Sequence, residues 1–144
     1  MALVRHLRTS ATIALLVTVI ATALGCSASK AKQLSEQGVA KFHAQLDAEQ
    51  YHDIYTQAST EFQKSDSESA FTEFLSAVHR KLGRVQNSEE QTFFINFGAS
   101  GTTVTLTQKT TFANGPATEE FVWRVGEQPV LVKYRIDSRV LITK

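Results

Sequence analysis

The spacing of apolar residues changes once along this chain, close to Gly83. Before it, apolar side chains recur every three to five residues. Leu34, Val39, Phe42 and Leu46 predict a helix over Gln33–Leu46, and Tyr51, Ile54, Tyr55 and Ala58 predict a shorter one after it. Phe71, Phe74, Leu75, Val78 and Leu82 form an unbroken stripe on a third. Ser65 and Glu68 have capping-box spacing at its start, Arg80 and Lys81 suit the negative end of its dipole, and Gly83 ends it. After Gly83 the period falls to two. Phe93, Ile95 and Phe97 share a face, as do Val104, Leu106 and Phe112. So do Phe121, Trp123 and Val125, and again Val130, Val132, Tyr134 and Ile136. The turn-rich tetrapeptides GASG, ANGP and GEQP separate these four runs.

Connections this short join antiparallel neighbours, because a parallel pair needs a long crossover. One apolar and one polar face per strand means that one side of the sheet is covered and the other meets water. The expected fold class is therefore α+β: N-terminal helices packed on a curved antiparallel sheet of about four strands. Helices followed by such a meander resemble the cystatin-like or nuclear-transport-factor-two-like cone, and the stretch AEQYHDIYTQASTEFQKSDSESAFTEFLSAVHRKLG is similar to the opening of small secreted members of that group. The resemblance implies a space between sheet and helices, in which some members place an Asp or His as a general base.

The first 32 residues read differently. Arg5 and Arg8 precede an apolar stretch of about 14 residues, Ala11–Leu24, with no charge between Thr9 and Ser29. That is short of the roughly 20 residues that span a bilayer, and it has the plan of an export signal. The single cysteine, Cys26, closes it in the sequence ALGC, which resembles the lipobox of bacterial lipoproteins. The resemblance implies diacylglycerol on the Cys26 thiol, cleavage just before it, and acylation of the new amino group. Membrane lipid is then the first partner, and Ser27, not Asp, points to the outer membrane. An ordinary signal cut after Ala23, or an uncleaved N-terminal anchor, would use the same residues. Expected boundaries are 1–25 for the signal, 26–32 for the acylated cysteine and spacer, and 33–144 for one domain.

Charge narrows the function. Loss of Arg5 and Arg8 leaves 13 basic residues against 14 acidic ones, which gives no support to nucleic-acid binding. A lone cysteine forms no disulfide within the chain, and the histidines are too scattered for a zinc site, so no metal or cofactor is expected. His43 and Asp47 lie one helical turn apart and are the candidates for acid–base catalysis; the alternative leaves both on the solvated face of the first helix. Lys109, Arg124, Lys133 and Arg135 fall on the polar side of three strands, where they could form a basic patch for an acidic partner, partly neutralised by Glu119, Glu120 and Asp137. Phe71, Phe74, Phe93, Phe97, Phe112, Phe121, Trp123 and Tyr134 all fall on inward faces, as core or as the lining of an apolar-ligand site. The function expected is a non-catalytic binding or assembly module on an exported lipoprotein, with a small enzyme as the alternative.

Overall fold

The structure, a computed structural model, describes residues 27–143. The expected signal, residues 1–25, and Cys26 lie outside the described residues. The chain divides into two compact units, Met1–Lys30 and Ala31–Lys144. Of the first, residues 27–30 are described and are helical. The second holds the fold and begins two residues ahead of the expected Gln33.

Helix α1 occupies residues 27–47, and its buried positions in the second unit are Ala31, Ser35, Gly38, Val39, Phe42, His43 and Leu46, an i, i+4, i+7 stripe. No glycine or proline stops it. The chain instead turns left-handed at Glu49 (φ 57°), the Gln50 N–H donates to the Gln45 carbonyl and the Glu49 N–H to Leu46. This paired closure satisfies carbonyls that the helix end would leave bare. Two short helices come next, α2 (Tyr51–Thr56) and α3 (Thr60–Ser65). The Gln63 carboxamide of α3 donates to the carbonyls of Tyr55, Thr56 and Ala58, clamping the end of α2.

Helix α4 (Glu68–Leu82) buries Phe71, Leu75, Val78 and Leu82 as expected. Two expectations change here. The N-cap is Ser67, which accepts from the Ala70 N–H, while Ser65 ends α3 by donating to the Phe62 carbonyl. Phe74 is 40% exposed, because it sits at the margin of the stripe, beside the Tyr134 ring. Gly83 stops the helix at φ 76°, a conformation open to glycine at little cost. The turn at Ala113–Asn114 folds back onto this end, with the Asn114 N–H donating to Leu82 and its side-chain amide to Lys81.

The sheet is a four-stranded antiparallel meander in the order β1-β2-β3-β4: Val85–Gly98, Gly101–Phe112, Gly115–Val125 and Pro129–Asp137. The final turn of helix, α5 (Arg139–Ile142), is held to α4 by Lys81, whose ammonium donates to the Leu141 and Thr143 carbonyls. Three bulges disturb the ladders, skipping Gln86 and Gln91 on β1 and Val132 on β4. Each extra residue flips the parity of the residues beyond it. The bulge at Val132 therefore puts Leu131 in the core, where uniform alternation predicts Val130 and Val132. Phe97 has the inward parity of Phe93 and Ile95 but is 57% exposed, next to the exposed end of β1.

Helix α1 lies closely on the sheet at one glycine. A Cβ built on Gly38 would stand 3.1 Å from three atoms of the Trp123 ring. Gly38→Ala would gain about 1 kcal/mol of helix propensity and lose it against the ring. Gly38→Leu has no such escape and should destabilise the fold by about 1–3 kcal/mol, as overpacked cores do. Urea denaturation monitored by the emission of Trp123, the only tryptophan, measures this; an unchanged midpoint would show that the helix does not rest on the ring.

Candidate functional site

Two features of the interior could carry function, and they are separate. The first is a polar stratum across the inner face of the sheet. On β3, Ala117, Glu119, Phe121 and Trp123 alternate inward, and on β2 so do Leu106, Gln108, Thr110 and Phe112. Parity thus carries Glu119 into the core, where its exposure is zero. The expectation that Glu119 shares the solvated face with Glu120 is corrected; its place two residues before Phe121 is the signal against that grouping.

Three donors meet the Glu119 carboxylate. His43 donates from Nε2 to Oε2 at 2.8 Å, Thr110 donates its hydroxyl to the same oxygen at 2.5 Å, and Tyr134 donates to Oε1 at 2.7 Å. Ser88 continues the chain, 3.0 Å from the Thr110 hydroxyl and 3.2 Å from Gln108 Oε1. Rings enclose the group: Phe42 and Phe121 stand edge-on to the His43 imidazole, and Phe121 stacks on Trp123. Burial first, then the adjacent carboxylate, pushes the Tyr134 hydroxyl well above the ordinary tyrosine pKa, so it remains a donor at physiological pH.

His43 and Asp47 have different partners. His43 is buried on Glu119, whereas Asp47 faces the start of β1, where Oδ1 accepts the Val85 N–H at 3.0 Å and Oδ2 lies 3.8 Å from Arg84. One turn of helix separates the two residues, and each is held by a different part of the sheet. Among the described residues no group of three or more His, Cys, Asp or Glu is placed to hold a metal ion.

The second feature is a half-open cleft of about 500 Å3 between α1, α2 and the β3–β4 turn. Phe42, Ile54, Trp123, Pro129 and Leu131 contribute apolar surface, and Gln37, Gln45, Gln57 and Gln128 contribute neutral amides. Lys41 brings a positive charge to its rim. Trp123 Nε1 is buried and has no hydrogen-bond partner among the described residues, a donor that costs about 1–3 kcal/mol to leave unmet. Neither His43 nor Glu119 lines this cleft.

The four cations of the polar face are also located. All have outward parity in their strands, and each stands beside an acid. Arg124 donates to both carboxylate oxygens of Glu61 on α3 at 3.0 and 3.1 Å, and Lys133 reaches Glu120 at 2.9 Å. Lys109 is directly opposite Glu89, and Arg135 opposite Glu120, in the strand registers. Hydrogen bonding by Arg124 holds the Glu61 carboxyl down to about 2.

A small α+β domain with a filled, ring-packed core and an amide-rimmed cleft is the class these features define. Residues 39–129 match the family model described as a protein of unknown function (DUF4019), and the chain belongs to that family. No curated protein matches the chain.

Replacing Glu119 by Ala leaves His43, Thr110 and Tyr134 facing a void and should cost about 3–5 kcal/mol in urea, the range for breaking a buried polar pair. Glu119→Gln, which keeps an oxygen for two of the donors, should cost less; equal losses would show that volume, and not hydrogen bonding, governs the site. The Glu61–Arg124 pair gives a pH effect of known sign. A carboxyl held below its usual 4.5 stabilises above that value, and the contribution is lost as pH falls toward 2. Carboxyl NMR should show Glu61 titrating near 2 in the wild type and higher in Arg124→Gln, where the backbone and Ser59 hydrogen bonds remain.

Proposed function

We propose that this protein is an exported lipoprotein, anchored through acylated Cys26, whose domain is a non-catalytic binding module that takes a ligand in the α1–α2–β4 cleft. The anchor rests on the lone cysteine at the close of an uncharged apolar stretch. Two or more acyl chains hold a protein to a membrane durably, which a single chain does not. The order of helices and meander, with a bulged sheet, favours the cystatin-like cone as the finer description of the fold.

One observation carries the choice of binding over catalysis. The interior's titratable cluster is saturated from within, since Glu119 has no exposed surface and both its oxygens already accept. A general base must reach a proton on substrate, directly or through one water. The cleft, by contrast, offers apolar surface and unspent amides, which fix the orientation of a neutral ligand with an apolar body. The basic-patch reading is not favoured, because each of its four cations stands beside an acid.

Metabolic labelling with palmitate tests the anchor. Wild-type protein should incorporate label, Cys26→Ser should not, and globomycin should accumulate the precursor. A wild-type protein that takes up no label, stays full length and remains on membranes would replace this reading with the uncleaved anchor. For the cleft, the indole N–H resonance of Trp123 is the single reporter in the chain; ligand binding there should shift it, and a ligand that leaves it unmoved binds elsewhere.

A further inference from the structure

The far end of the β1–β2 hairpin has a composition unlike the rest of the surface. From Gln91 to Gln108 the chain carries no Lys, Arg, Asp, Glu or His, although charged residues flank the segment at Glu90 and Lys109. Two phenylalanines near its tip are in water: Phe94 is 67% exposed and Phe97 57%. They have opposite parity, so one stands on each face of the hairpin, around a turn of Gly, Ala and Ser. Elsewhere the described surface spends its large apolar groups sparingly, with Phe74 and Ile142 the other two exposed.

Within the second unit, the contacts of α1 give its direction along the sheet. Its C-terminal end meets the start of β1, through Asp47 and Val85. Going back along the helix, the contacts move toward the hairpin: His43 lies on Glu119, level with Glu90, and Gly38 on Trp123, level with Ile95, while Lys32 reaches Glu90 at 2.9 Å and covers the Phe93 ring. Phe97 is four residues beyond Phe93, about 13 Å along the strand. Traced back from Asp47 to Gly38, the helix therefore runs from the base of β1 toward the hairpin. Cys26 precedes Ala31 by five residues, at most about 18 Å of extended chain. The opposite end of the sheet carries Lys81, Arg84 and Arg139.

We propose that the β1–β2 hairpin tip is a membrane-contact element, with Phe94 and Phe97 seated at the headgroup–acyl boundary of the bilayer that holds the anchor. The proposal rests on the lipoprotein reading above for the bilayer's proximity. Aromatic rings favour that boundary, and a charge-free segment enters it without burying an ion. Two features limit the depth. Strand β1 is an edge, whose outward N–H and C=O groups lack strand partners and cannot enter hydrocarbon. Glu127, in the adjacent β3–β4 turn, keeps its carboxylate among the headgroups. The contact is shallow, and it sets the orientation of the domain so that the sheet stands up from the membrane.

The test uses the full chain, purified from membranes and mixed with phosphatidylcholine–phosphatidylglycerol vesicles whose acyl chains are brominated near the glycerol. Phe94→Trp and Phe97→Trp each add a reporter at the tip, and Ile142→Trp adds one at the far end; Trp123, 5% exposed, is the common background. Mass spectrometry reports the state of Cys26 in the same samples. The expected result is quenching about twofold stronger than wild type for both tip variants and unchanged for Ile142→Trp. Acylated Cys26 with unquenched tip reporters would overturn the tip and leave the anchor. Quenched tip reporters with a bare Cys26 would support the tip and overturn the anchor. Blue-shifted tip emission without vesicles would overturn the membrane assignment, because the rings would then be covered by protein.

Discussion

A single buried carboxylate organises this fold. Glu119 stands on the middle of the inner sheet face with no exposed surface, and it draws one donor from each of three elements: His43 of α1, Thr110 of β2 and Tyr134 of β4. Removing an ion from water is expensive, and the cost is offset only when its hydrogen-bonding capacity is filled. That requirement sets the position of α1 over the sheet more strictly than apolar contact can. Phe42 and Val39 would pack against an apolar face in several registers, whereas His43 Nε2 satisfies Glu119 in one.

Close packing is a consequence of that registration. With His43 fixed, Gly38 falls on Trp123, and the helix approaches closely only because position 38 has no side chain. Phe121 then fits between Phe42, Trp123 and Tyr134. The cleft lies to the side, under α1 and α2 and against the β3–β4 turn, where amides and not titratable acids line it. The same network thus stabilises the domain and accounts for the separation between its ionisable core and its cleft.

The two faces of the sheet solve electrostatics in different ways. Inside, one acid is satisfied by three donors. Outside, opposite charges stand in neighbouring registers or reach across to α3, as Arg124 does to Glu61, and the face is neutral in aggregate. Only the hairpin tip has neither charge nor cover, so its surface differs in kind from the rest of the described residues.

The sequence by itself determined the elements and their order. Apolar spacing located α1, α2 and α4 and all four strands, Gly83 ended α4, and short turns required a meander, because each of these depends on residues near one another in the chain. It also marked Cys26 as a thiol with no second thiol to pair with. Tertiary structure alone decided the destinations of side chains whose local setting is ambiguous. Bulges at Gln86, Gln91 and Val132 shift strand parity without any glycine or proline to announce them, so Leu131 and not Val132 is in the core. His43 and Glu119 are 76 residues apart, and nothing local tells a histidine on a helix that a carboxylate awaits it across the core. Phe97 is exposed although its parity is inward. Periodicity reads which face a residue takes; whether that face is covered is settled by what other elements bring to it.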